Sequence, residues 1–241
     1  MHIWVAYFFL ITETLIRFGI LLLATNDLDF YGSAMLTFVI ASTVGIILLF
    51  GEGTLCNTEN LGENRRINCF VKTCFISLLV GSICHFFGYN GIIVFLAILN
   101  PTVGSLAAKD VSLKLSIQMR SLRTFFWFYL IGCLLLGTNI DFIACVFLLL
   151  FMLYTIVPNI KKLNFDDLAY VMRGGNFAIS GVSSLLPKST EQIAVQTLYS
   201  SETLGLYVNL RELASIPLYV MGPLLTENLY IKGATLSLKY F

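Results

Sequence analysis

Eight apolar stretches alternate with short polar breaks along the chain, over residues 3–25, 31–51, 68–88, 90–108, 120–137, 140–158, 175–199 and 203–225. Each is close to the roughly 20 residues that a helix needs to cross a hydrocarbon core about 30 Å thick. Within a bilayer every backbone polar group must be satisfied inside its own segment, which a helix does. The pattern predicts an all-α polytopic transmembrane bundle of about eight helices.

The charges in the breaks then orient the bundle. Lys and Arg occupy every second break: Arg65 and Arg66; then Lys109, Lys114, Arg120 and Arg123; then Lys161, Lys162 and Arg173; then Lys232 and Lys239. The breaks around Asp27 and Asp29, Gly88–Asn90, Thr138–Asp141 and Ser200–Thr203 hold neither. Cytoplasmic loops collect Lys and Arg, so an eight-fold crossing with both termini in the cytoplasm is expected. The first span lacks a basic leader and a small-x-small site before Asp27, so it reads as a retained helix and not a cleaved signal.

Composition agrees: 57% of residues are hydrophobic, 12% are charged and the mean hydropathy is +0.84. A soluble domain carries about a quarter charged residues. A net charge of +1, with its cations spread over loops, argues against nucleic acid as a partner. The six cysteines (Cys56, Cys69, Cys74, Cys84, Cys133 and Cys145) form no CxxC pair, and His2 and His85 are the only histidines. They are expected to be reduced packing thiols, with no metal and no cofactor. No catalytic constellation occurs, and the breaks on the outer side are too short to hold acid/base residues, so no catalytic residue is assigned and the chain is not expected to be an enzyme.

Charges inside spans are costly and mark functional interiors. Five stand out: Glu13 and Arg17, four apart on one helix face in the favourable order; Lys188 and Glu191 on span seven; and Arg211 on span eight, equally suited to snorkelling outward or facing a cavity. Gly181, Ser184, Lys188, Glu191, Val195 and Tyr199 form a stripe at helical spacing, expected to turn away from lipid, with Glu191 neutralising Lys188. Pro187 at mid-span is expected to kink that helix, and Pro217 is a second hinge candidate. Pro158 to Gly174 reads as a cytoplasmic linker holding a short amphipathic helix with Leu163, Phe165, Leu168 and Val171 on one face. This divides the chain into a six-helix lobe (1–160), a linker (161–174) and the start of a second lobe (175–241). A faint repeat supports the division. Glu13/Arg17, an acidic turn at Asp27 and Asp29, and Tyr31-Gly32 are echoed by Lys188/Glu191, Glu202, Gly205 and Tyr207, as in transporters built from two parallel repeats.

The segment from Thr190 to Glu227, TEQIAVQTLYSSETLGLYVNLRELASIPLYVMGPLLTE, resembles helices seven and eight of bacterial polysaccharide-biosynthesis flippases. These are the Wzx-type oligosaccharide-lipid exporters, in the superfamily of the multidrug MATE exporters and the lipid II flippases. Glu191 stands where the family has an acid before a Gly-x-Tyr, here Gly205 and Tyr207; Arg211 and Pro223 match its basic residue and terminating proline. Ile16 to Gly53 is similar to the family's first hairpin. The resemblance implies export of a polyprenyl-diphosphate-linked oligosaccharide across the bacterial inner membrane for O-antigen, capsule or exopolysaccharide synthesis, by alternating access. It implies Arg17, Lys188 and Arg211 as the cations that neutralise the diphosphate. Glu13 and Glu191 would pair with them or carry a coupling proton or sodium ion. The lipid-linked oligosaccharide, the bilayer and a polysaccharide polymerase or other assembly protein are the expected partners. The family usually has twelve or more helices, so truncation after the eighth is expected. The alternatives are a MATE-like exporter of organic cations and a non-transporting membrane scaffold.

Overall fold

The computed structural model describes residues 3–49, 51–52, 55, 63–106, 113–137, 140–162 and 174–217. Among them the chain is all-helical: α1 (Ile3–Leu23), α2 (Leu28–Leu48), α3 (Glu63–Phe86), α4 (Gly91–Leu106), α5 (Leu113–Leu136), α6 (Ile140–Thr155), α7 (Gly175–Leu198) and α8 over 201–217. Five of the described helices are long and apolar enough to cross a membrane: α1, α2, α3, α5 and α6. The chain is a polytopic helical bundle with the character of a multi-pass membrane protein. The expected linker helix and everything beyond Pro217 lie outside the described residues.

Helix α4 is the centre of the first six helices. It packs against α2, α3, α5 and α6, and Ile93 to Leu99 is buried without a break. This explains its unbroken apolar sequence, since a helix covered on all sides needs no polar face. Asn90 starts it: its Oδ1 accepts from the backbone N–H groups of Ile92 and Ile93 at 3.1 Å each, the usual role of an N-cap. Helix α1 lies on α5, and α6 lies on α5 at the edge. Most of α6, including Phe142, Ile143, Leu149, Leu150 and Leu153, is exposed. In a bilayer such a face meets lipid.

The predicted breaks are shorter in space than in sequence. Helix α3 begins at Glu63 and α5 at Leu113, so Arg65, Arg66, Lys114, Arg120 and Arg123 stand on helices and not in loops. This corrects their placement in the polar breaks. A run such as LKLSIQMRSLR is a good helix former whatever its hydropathy, and the helices simply extend past the apolar stretch.

The hairpin of α7 and α8 packs on the hairpin of α1 and α2. Helix α7 runs along α2, and the two short turns at the other end meet reciprocally. A Cβ on Gly32 would strike the Ser201 carbonyl and the Gly205 nitrogen, and one on Gly205 would strike the Leu28 carbonyl. Only glycines permit backbones to approach this closely, the familiar device of membrane helix crossings. The offset that takes Gly32 to Gly205 also takes Leu28 to Ser201. It takes the cap Asp27, which accepts from Phe30 N–H at 3.0 Å, to the cap Ser200, which accepts from Thr203 N–H at 3.1 Å. At this one offset the turns of α1–α2 and α7–α8 share their caps and their close glycines. The charged pairs do not correspond, however: this register sets Glu13 and Arg17 against Leu186 and Thr190, not against Lys188 and Glu191.

Candidate functional site

Glu13, Arg123 and Arg211 each stand about ten residues into their helices, roughly 15 Å deep at 1.5 Å per residue. Glu13 on α1 and Arg123 on α5 meet directly, and Arg211 on α8 stands one residue before Glu212, which faces Arg17. Glu13 is the hub. Its Oε1 accepts from Arg17 Nη2 at 2.6 Å, from Arg123 Nη2 at 3.0 Å and from Trp127 Nε1 at 3.1 Å. The Arg17 guanidinium also stacks over the Trp127 ring, 4.1 Å from its centre, in cation–π geometry. A buried carboxylate that accepts from two guanidiniums and an indole N–H is stabilised by charge-assisted bonds, and it could not bear burial unpaired.

Helix α8 joins this hub to α7. Arg17 Nη1 lies 3.7 Å from Glu212 Oε2. The next residue, Arg211, pairs through Nη1 with Glu191 Oε2 at 3.3 Å, and Tyr207 donates its hydroxyl to the same oxygen at 3.0 Å. Helices α5, α1, α8 and α7 are thus linked by one chain of charges. A cavity of about 10 Å³ lies between Arg17, Tyr31, Trp127 and Glu212, space for about one water.

Of the expected residues, the structure brings together Glu13, Arg17, Glu191 and Arg211. Arg211 is half-buried and faces α7. The expected Lys188–Glu191 pair does not form, because Glu191 turns to Arg211 and Tyr207. Three residues along a helix brings two side chains within reach but does not choose between local and cross-helix partners. Nor is the α7 stripe covered: Ser184, Lys188 and Tyr199 are exposed and the Glu191 side chain is 52% exposed. An open depression of about 650 Å³ runs along this face beside Ser183, Leu186, Pro187, Thr190, Glu191 and Ala194. Helix α7 is continuous through Pro187, and Pro217 is the last described residue of α8.

Two further clusters escaped the sequence reading. Lys72 Nζ bonds Glu52 Oε1 at 3.1 Å, both buried, at the junction of α2 and α3, and Arg66 nearby on α3 is also buried. Lys72 stands inside the predicted span 68–88, so the rule that flagged Lys188 flags it equally. Arg123 was read as a loop residue because it falls where hydropathy drops. At the opposite end of the bundle, the Tyr129 hydroxyl donates to Asp141 Oδ1 at 2.6 Å and accepts from Asn90 Nδ2 at 2.8 Å, tying α4, α5 and α6. No group of three His, Cys, Asp or Glu side chains suited to a metal occurs among the described residues.

Comparison with family models, with curated proteins and with solved structures finds no match for this chain.

Proposed function

We propose that this chain is a transporter that moves a polyprenyl-diphosphate-linked oligosaccharide across the bacterial inner membrane, with both termini in the cytoplasm. One observation carries the reading. Three cations (Arg17, Arg123 and Arg211) are paired with three acids, Glu13, Glu191 and Glu212, and a fourth cation, Lys188, stands exposed on α7 with no acid paired to it among the described residues. With Lys188 counted, the group holds one cation more than it has acids, which suits an anionic headgroup such as a diphosphate and disfavours the organic cations that a MATE-like exporter carries. Bidentate guanidiniums suit phosphate oxygens in particular. Glu13 and Glu191 hold the arginines in place before the anion arrives, and Lys188 on the open face of α7 is the cation still exposed to it.

The uncovered α7 face supports a second element of the same reading. At the shared offset, Glu13 and Arg17 of α1 meet Arg123 and Trp127 of α5, while their α7 counterparts Leu186 and Thr190, and Ile193 and Ala194 beyond them, are exposed. A further set of helices, or a polysaccharide-assembly protein, would seat there. A scaffold that only recruits such a protein needs this face but not the charge surplus.

The deciding experiment uses the purified chain in vesicles with a fluorescent polyprenyl-diphosphate oligosaccharide and measures its exposure to an outside quencher. Flipping above empty vesicles that falls at least tenfold in Arg17→Ala supports the reading. No flipping above empty vesicles, or full activity in Arg17→Ala, refutes it for the chain.

A further inference from the structure

The indole of Trp127 is 5% exposed and is braced from behind by two phenylalanines. Phe126 meets it edge to face, with ring centres 4.8 Å apart. Phe38 of α2 stacks on Phe126 at 4.4 Å and lies 6.2 Å from the indole. These are favoured arrangements of aromatic rings, and side chains interdigitated in this way keep one orientation.

The rest of the indole serves Glu13 and Arg17. Nε1 donates to Glu13 Oε1 at 3.1 Å, and the ring face carries the Arg17 guanidinium, 4.1 Å from its centre. Arg17 is therefore fixed twice: its plane by the ring, and its Nη2 by Glu13 at 2.6 Å. Its Nη1 is turned toward Glu212 Oε2 at 3.7 Å, longer than a hydrogen bond. The small cavity lined by Trp127, Tyr31 and Glu212 lies against the same guanidinium. An arginine side chain has much rotamer freedom, yet its planar fork matches phosphate oxygens only when correctly turned. Fixing that plane before an anion arrives removes an ordering cost from binding.

We propose that Trp127 is the positioning residue for Arg17 in anion recognition. The indole sets the guanidinium plane so that Nη1 meets a phosphate oxygen where Glu212 now stands. The anion takes over the weakest contact of the group, while the ring and Glu13 hold Arg17 still. This role deepens the transport reading above and rests on it for the identity of the anion, a diphosphate.

The test uses the purified full chain with Trp4, its only other tryptophan, replaced by Phe. Tryptophans carrying one, two and three ring fluorines are installed at position 127. Fluorine draws electron density from the ring face and so weakens its hold on a cation. The shape is nearly kept, and the N–H becomes a better donor to Glu13. Binding of inorganic diphosphate is measured by titration calorimetry, with thermal unfolding alongside. Affinity should fall with each fluorine, by about tenfold over the series, while the melting temperature stays nearly level. A ring that serves packing alone leaves the affinity unmoved. Affinity that does not follow the number of fluorines overturns the proposal, and so does a lack of diphosphate binding by the unfluorinated chain. Trp127→Phe, which keeps a ring face, should bind more tightly than Trp127→Leu. If Trp127→Leu does not fold, the fluorine series decides alone. Fluorine-dependent binding by a chain that fails to flip the lipid keeps the role of Trp127 and loses the transport reading. Flipping with diphosphate affinity indifferent to fluorine does the reverse.

Discussion

The two hairpins share a register and a turn design but not an environment. In α1–α2, the first helix is covered by α5, and its charges are locked by Arg123 and Trp127. In α7–α8, the counterpart helix turns the equivalent face to the outside and keeps its lysine exposed. One plan thus yields a rigid hub in the first copy and an open, chemically available face in the second. What separates them is which helices come to lie against each copy, since the hairpins meet each other symmetrically at Gly32 and Gly205.

The hub is where substitution should cost most. Glu13→Ala leaves two guanidiniums and an indole N–H facing a buried gap, and removing one partner of a buried ion pair costs about 3–5 kcal/mol. Unfolding in detergent should show a loss of that order, with Glu13→Gln intermediate. A loss under about 1 kcal/mol would mean that the hub is already hydrated and the two copies differ less than their burial implies.

The crossing comes next. Gly32→Ala and Gly205→Ala each force a methyl group against backbone, an overpacking worth about 1–3 kcal/mol. Because the approach is reciprocal, the two variants should lose similar stability and both should weaken cross-linking between cysteines placed at Leu28 and Ser201. Strongly unequal losses would show that the hairpins are not equivalent halves of a repeat.

The open face should matter least to stability. Lys188→Ala with Glu191→Ala removes one exposed cation and one half-exposed pair, and such changes cost about 0–1 kcal/mol. Membrane abundance by blot should be unchanged. Export, read as surface-polysaccharide display in cells lacking their own exporter, should be abolished, with Lys188→Arg partly active. Normal export in the double variant would make this face structural only.

Much of the fold was legible because bilayer physics writes it into one dimension. Eight apolar runs predicted eight helices, and the intrahelical pair of Glu13 and Arg17 followed from spacing alone. The repeat was legible from the turns, where Asp29 and Glu202 are each followed three residues on by a glycine, Gly32 and Gly205. Its register was not, because the eye-catching charges Lys188 and Glu191 stand two residues and one residue past Leu186 and Thr190, the positions that the glycines set against Glu13 and Arg17. Arg123 was missed because hydropathy marks where apolar residues begin and not where a helix does. Lys72 was overlooked although its position in a span was plain.

The sequence by itself determined that the described residues form apolar helices joined by short turns, because each helix depends on residues within a turn or two of one another. Only the tertiary structure decided that Glu13 serves Arg123 and Trp127, over a hundred residues away, that Glu191 chooses Arg211 over Lys188, and that α7 stays bare where α1 is covered. Those outcomes rest on which helix faces approach. In a bundle whose helices are apolar on nearly every side, hydrophobicity does not say which face meets which neighbour. The choice falls to close glycine contacts and to the few polar groups that must find partners away from water.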